Sequence, residues 1–180
     1  MRILPLCAAS AMILPASAQG LPEPPNAVQS SIVIVRNGSI EQSDTEDASG
    51  TALVADAVDS VTIAVAICDG SGRPIADLPV SIEVTGSRNM VTPAATSFTD
   101  VNGLFIANLT TTAAETKTIS VIADSGPEEV VLLDQPSVTF RAGPAVPSEV
   151  VLGSANGDRQ EVTVVSRDFF GNPAVTKAEH

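Results

Sequence analysis

Apolar residues alternate with polar or small ones at a spacing of two along much of this chain, the period that places successive side chains on opposite faces of a β-strand. Across residues 60–68, Val61, Ile63, Val65 and Ile67 point one way and Thr62, Ala64, Ala66 and Cys68 the other. Residues 78–85 repeat the pattern, with Val80, Ile82 and Val84 set against Ser81, Glu83 and Thr85. Further strands are predicted at 31–36, 96–99, 104–110, 117–124 and 137–141. Ile119, Val121, Ala123, Val138 and Phe140 fall on inward positions. At 104–110 the expected inward set is Phe105, Ala107 and Leu109, although Leu104 and Ile106 are also apolar and leave the parity open. No segment sustains a 3.6-residue apolar period. About seven strands separated by Gly, Pro, Asp and Asn turns imply an all-β fold, a two-sheet antiparallel β-sandwich of ordinary size.

One turn is written twice. Asp69-Gly70-Ser71-Gly72-Arg73-Pro74 and Asp168-Phe169-Phe170-Gly171-Asn172-Pro173 lie 99 residues apart, each after a β-branched run. That interval is close to the length of one sandwich domain. Val65/Val164, Asp69/Asp168, Gly72/Gly171 and Pro74/Pro173 are identical in a gapless alignment. In such a corner Asp accepts backbone hydrogen bonds, Gly takes the left-handed backbone, and Pro fixes φ where the next strand begins. Convergence on a turn is the rival account, because most of the identities fall on residues that turn chemistry demands. A shorter relative, Asp100-Val101-Asn102-Gly103, ends the strand at 96–99. The spacing predicts one complete module and a second copy that has barely begun. The partial copy supplies too few strands to cover both faces of a sandwich, so residues 146–167, with Val150, Leu152, Val162 and Val164, are a candidate self-association edge.

Residues 1–18 read as an export leader: Arg2, an apolar stretch from Ile3 to Leu14, and a small-residue cleavage site at Ala16-Ser17-Ala18. Cys7 lies inside the apolar stretch instead of after it, which speaks against a lipoprotein site. Residues 19–27 carry Pro22, Pro24 and Pro25 and form an extended spacer. The stretch in the leader is too short for a stable anchor and no second one follows, so the mature chain is expected to lack an integral membrane segment and to be periplasmic, cell-surface or secreted. A net charge of −12 with nine Lys and Arg excludes nucleic acid and anionic membranes as natural partners.

Candidate chemistry is sparse. The one histidine, His180, is the last residue given, and without an oriented base neither a nucleophilic nor a metal-assisted reaction is supported. Glu128 with Glu129, and Asp44 with Glu46 and Asp47, sit in polar loop sequence that implies no pocket. No enzyme activity and no cofactor are expected. Asp69, Asp100 and Asp168 superficially resemble calcium-loop acids, yet each turn offers one carboxylate where calcium takes six to eight oxygens; backbone capping is the expected role, with a weak site between adjacent repeats held open. Sugar-binding sandwiches stack ligands on Trp or Tyr, and this chain has neither; Phe98, Phe105, Phe140, Phe169 and Phe170 are assigned mostly to core or corners. Cys68 is the sole cysteine left after export, and its register marks it as an outward or half-covered candidate reactive thiol.

A longer series resembles bacterial immunoglobulin-like repeats of the invasin and intimin type: Ala55-Asp56-Ala57-Val58-Asp59, the Asp69 turn, Val80-Ser81-Ile82, Thr99-Asp100-Val101-Asn102-Gly103, Leu109-Thr110 and Val138-Thr139-Phe140, in order and at sensible spacing. Ala57 stands where that pattern has Gly, and Arg73 where it has Asn. Ala142-Gly143-Pro144 resembles the junction to the next repeat, so the resemblance implies one complete immunoglobulin-like repeat over 28–142 and a partial second over 143–180. The resemblance implies a spacer, stalk or adhesion-related interaction module at a bacterial surface, with a protein or cell-surface receptor as the partner class. The other reading is an accessory glycan- or protein-binding domain of a secreted or phage-borne assembly.

Overall fold

The computed structural model describes residues 24–36, 39–41, 53–93, 96–124, 126, 129–156 and 159–174. The leader, most of the acidic loop after residue 41, Glu128 and His180 lie outside them. Every described element is a strand: β1 (Ser31–Arg36), β2 (Ser39–Glu41), β3 (Leu53–Val54), β4 (Val61–Ala66), β5 (Pro79–Val84), β6 (Asn89–Thr92), β7 (Thr96–Phe98), β8 (Leu104–Thr111), β9 (Thr116–Asp124), β10 (Glu129–Val131), β11 (Ser137–Arg141), β12 (Val146–Asn156) and β13 (Arg159–Arg167). Among the described residues no helix is long and apolar enough to cross a membrane.

Two sheets form the sandwich. One runs β2-β1-β4-β8-β6, the other β3-β11-β9-β5-β7, with β10 also paired to β9. The pairs are antiparallel except β3 with β11, where Phe140 lies beside Leu53. β11 and β10 occupy successive stretches of one edge of β9, at Thr116 to Thr118 and at Ile122 to Asp124. Between them Leu132 is buried and donates its N–H to the Val121 carbonyl at 2.9 Å.

The period-two residues close the interior. Ile32, Ile34, Val61, Ile63, Val65, Phe105, Ala107 and Leu109 from the first sheet pack with Val80, Ile82, Ile119, Val121, Ala123, Val138 and Phe140 from the second. The open parity of β8 is resolved as expected, with Phe105 buried and Ile106 55% exposed. Burying side chains of this size contributes about 1.5–3 kcal/mol each, which is why the alternation sets the register.

Three expectations change. β2, β3, β6 and β10 were not predicted; each has two to four residues. Ala66 and Cys68 do not face solvent, because β4 ends at Ala66 and the chain then passes under residues 25–30. Asn26 N–H donates to the Cys68 carbonyl at 2.9 Å, and Cys68 N–H donates to Ser30 Oγ at 3.1 Å. Cys68 is completely buried, which corrects the expected outward or half-covered placement, and no free cysteine occurs among the described residues. Finally, Phe98 lies on an edge strand and is exposed, whereas Phe105 and Phe140 are core.

Beyond the sandwich, β12 and β13 form a two-stranded hairpin with register shifts between Val146 and Glu149 and between Leu152 and Ala155. It leads into the second copy of the Asp corner.

Candidate functional site

Each corner starts from one aspartate at the end of a strand. Asp69 Oδ1 accepts the N–H of Ser71 and of Arg73, both at 2.9 Å, while Gly72 N–H returns to the Asp69 carbonyl at 3.0 Å. Asp168 repeats this with Phe170 N–H at 2.9 Å, Asn172 N–H at 2.8 Å and Gly171 N–H at 3.0 Å. Gly72 and Gly171 both have positive φ, 80° and 85°, as the turn requires. Pro74 and Pro173 then bridge back to Cys68 and Arg167. Asp100 builds the same cap, receiving Asn102 N–H at 2.8 Å and Leu104 N–H at 2.9 Å, with Gly103 at φ 70°. The sequence motif Asp-x-x-Gly is thus one backbone device used three times.

The side chain at the fifth position separates the three uses. Leu104 begins β8. Arg73 closes on its own corner, its Nε and Nη2 each 2.8 Å from Asp69 Oδ2. Asn172 donates Nδ2–H to Asp168 Oδ2 at 2.8 Å and also reaches across to the sandwich: Nδ2 donates to the Thr112 carbonyl at 3.0 Å, and Oδ1 accepts Ala114 N–H at 2.9 Å.

Two more contacts complete this joint. Arg88 Nη1 donates to the Phe170 carbonyl at 2.9 Å, and Gly143 N–H, in the link between sandwich and hairpin, donates to Asp168 Oδ2 at 3.0 Å. Arg88 has φ 55°, a left-handed conformation seldom adopted by a non-glycine residue. Its turn is pinned from below. Lys117, fully buried, donates Nζ–H to the Ser87 carbonyl at 2.7 Å and pairs with Glu115 Oε1, which also accepts Ser87 N–H at 2.7 Å.

The electrostatics favour ionised carboxylates throughout. Burial by itself raises the Asp69 carboxyl, but hydrogen bonds from Ser71 and Arg73 outweigh it and lower the pKa to about 2. At Asp168 burial likewise opposes the hydrogen bonds from Asn172, Gly143 and Phe170, which prevail and lower it. Leu104 and Asn102 N–H groups lower Asp100, and the Lys117 hydrogen bond lowers Glu115.

The arrangement holds shape. Each Asp168 oxygen already accepts two N–H donors, leaving no pair of lone-pair directions for a cation. No group of three or more His, Cys, Asp or Glu able to hold a metal occurs among the described residues. The sequence-derived set Asp69, Gly72, Pro74, Asp100, Gly103, Asp168, Gly171 and Pro173 falls into three separate corners, with Gly103 O accepting Ile67 N–H at 2.8 Å beside the first. Sequence reasoning missed Asn172, Arg88, Lys117 and the backbone of Thr112 and Ala114. The available signal was the change from Arg73 to Asn172 inside an otherwise matched turn.

The family model for the bacterial Ig-like domain (group 1) matches residues 39–141. Among solved structures, invasin, described as a bacterial integrin-binding protein, is 20% identical with a TM-score of 0.53, over 84% of this chain and 28% of its own. A C-terminal fragment of intimin in complex with the intimin-binding domain of the translocated intimin receptor is 24% identical with a TM-score of 0.41, over 56% and 33%. The Escherichia coli adhesin FdeC is 19% identical with a TM-score of 0.48, over 83% and 43%. The likeness to these structures is one of fold, and this chain spans less than half of each. No curated protein matches it.

Proposed function

The chain belongs to the bacterial Ig-like domain (group 1) family, and from that premise we propose that it is an exported, non-enzymatic spacer that sets the angle between successive repeats of an adhesion-related surface rod. The observation that carries this reading is the joint. Hydrogen bonds to Thr112, Ala114 and Phe170 tie the second-repeat corner to the end of the first sandwich, over a link of only a few residues from Ala142 to Ala145. Each is worth about 0.5–1.5 kcal/mol, and more where the donor is charged, so together they exceed thermal energy several-fold. A tether that only joined two free modules would need none of them. The named functions of the solved relatives, integrin binding for invasin and receptor binding for intimin, make a protein or cell-surface receptor the partner class of the assembly. This segment holds the spacing.

Residual dipolar couplings test the rigidity. In one alignment medium, amides of the sandwich core and of β12 and β13 are expected to fit a single alignment tensor. Two tensors of different magnitude would show a loose tether and end the spacer reading.

A further inference from the structure

We propose that the fifth residue of the Asp-x-x-Gly-x-Pro corner decides whether a repeat locks onto the one before it: asparagine docks the corner, and arginine closes it on itself. The inference deepens the spacer reading and rests on it. Its basis is a comparison inside one molecule. The Asp69 and Asp168 corners share the same aspartate caps, the same glycine with positive φ and the same proline bridge, with corresponding hydrogen bonds within 0.1 Å of each other. The second and third side chains differ, Gly70 and Ser71 against Phe169 and Phe170, and Ser71 Oγ adds a bond to Asp69 Oδ1 at 2.7 Å that Phe170 cannot make; at Oδ2, the oxygen that faces the joint, the difference is the fifth side chain.

At the first corner the guanidinium of Arg73 engages Asp69 Oδ2 through both Nε and Nη2. That pairing takes up the oxygen, and a guanidinium has no acceptor atom to offer a neighbouring N–H. At the second, the shorter Asn172 amide makes a single bond to Asp168 Oδ2. Oδ2 is then free to accept Gly143 N–H from the link. The same amide carries one donor and one acceptor outward, and these meet the Thr112 carbonyl and the Ala114 N–H, a carbonyl and an amide two residues apart on one backbone segment. An amide matches such a pair in both directions, as a rung of β-ladder would. Arginine could satisfy only the carbonyl and would leave the Ala114 N–H without its partner. The surface that asparagine recognises is therefore the half-buried backbone of the β8–β9 connection at the end of the preceding sandwich, with Arg88 of that sandwich as its second anchor.

The decisive experiment exchanges the two fifth residues in the full chain and follows amide hydrogen exchange with dipolar couplings. In Asn172→Arg, exchange at Ala114 and Gly143 is expected to speed up about tenfold or more, the change that accompanies loss of one local hydrogen bond. The corner amides of Phe170 and Gly171, capped by Asp168, are expected to stay protected, and the single alignment tensor should split into two. In Arg73→Asn the corresponding Ser71 and Gly72 amides should stay protected and the joint remain rigid. Unchanged protection at Ala114 in Asn172→Arg, or equal loss at Ala114 and at the corner amides, overturns the proposal. Two tensors in the unsubstituted protein would instead sink the spacer reading itself, so the two failures are distinguishable.

Discussion

Gly103→Ala is expected to lower the melting temperature of the sandwich by roughly 12 °C or more, the largest loss from a single methyl anywhere in the described corners. Gly103 sits at φ 70°, and a Cβ built there lies 2.6 Å from the Ile67 carbonyl oxygen, 3.0 Å from Pro74 Cβ and 3.1 Å from the Ile75 nitrogen. Two of these atoms are backbone and cannot rotate aside. They also belong to the ladder that joins two corners: Ile67 N–H donates to the Gly103 carbonyl at 2.8 Å and Ile75 N–H to the Ile67 carbonyl at 3.1 Å. The left-handed conformation alone costs an alanine about 1–2 kcal/mol, and overpacking adds about 1–3 kcal/mol. A sandwich of this size falls between the 60–100- and 150–250-residue classes, where each kcal/mol shifts the melting temperature by about 4 °C, so a loss of about 3 kcal/mol corresponds to about 12 °C. Gly171→Ala is the internal control, with φ 85° but nothing within 4 Å of the new carbon, so only the conformational cost applies. Thermal melting followed by far-ultraviolet circular dichroism reads both. Equal shifts for the two variants would mean that the approach of Gly103 to Ile67 does not constrain the fold.

The strands that sequence made legible are those whose own alternation decides their fate. β4, β5, β8, β9 and β11 carry enough inward residues to specify register, and their buried sets agree with the period-two reading. β3, a two-residue strand, is set by its parallel partner Phe140 and Arg141, and β10 by β9; nothing in Leu53-Val54 or Glu129-Val131 by itself demands pairing. Cys68 was misplaced because alternation was carried past Ala66, where the strand ends and both neighbours become covered. The buried Lys117 was visible in principle: it shares parity with Ile119 and Val121, which places its charge inside unless a partner receives it, as Glu115 and the Ser87 carbonyl do.

The corners were legible and the joint was not, for a related reason. Asp-x-x-Gly satisfies backbone groups within four residues, so the chemistry is local and written in side chains. Asn172 finds its partners 58 and 60 residues away, and both are main-chain atoms that any residue type supplies. A backbone socket leaves no mark in the sequence of the segment that bears it, here the connection between β8 and β9. Only the side chain that fills it is coded, which is why the fifth position of the corner carries the readable part of the joint.

Acid should uncover the first corner. Asp69 is fully buried, with its pKa lowered from 3.8 to about 2. A carboxyl depressed in the folded state contributes stability above its unfolded pKa and loses it as pH falls through the folded value. The window therefore runs from about 4 down to about 2, and the charge is worth about 2 kcal/mol across it. The lowered carboxyls of Asp100, Asp168 and Glu115 add in the same direction. Asp69→Asn keeps an acceptor for Ser71 and Arg73 N–H but removes the anion opposite the Arg73 guanidinium; it should be less stable than the unsubstituted protein near neutrality by about that amount, with the two curves converging toward pH 2. Asp69→Ala strands both N–H groups as well and should cost about 3 kcal/mol or more near neutrality. Urea titrations at stepwise lower pH measure the difference directly. Stability curves for Asp69→Asn and the unsubstituted chain that run parallel through this window would show that the proton goes elsewhere, and that the Asp69 cap owes its strength to geometry and not to charge.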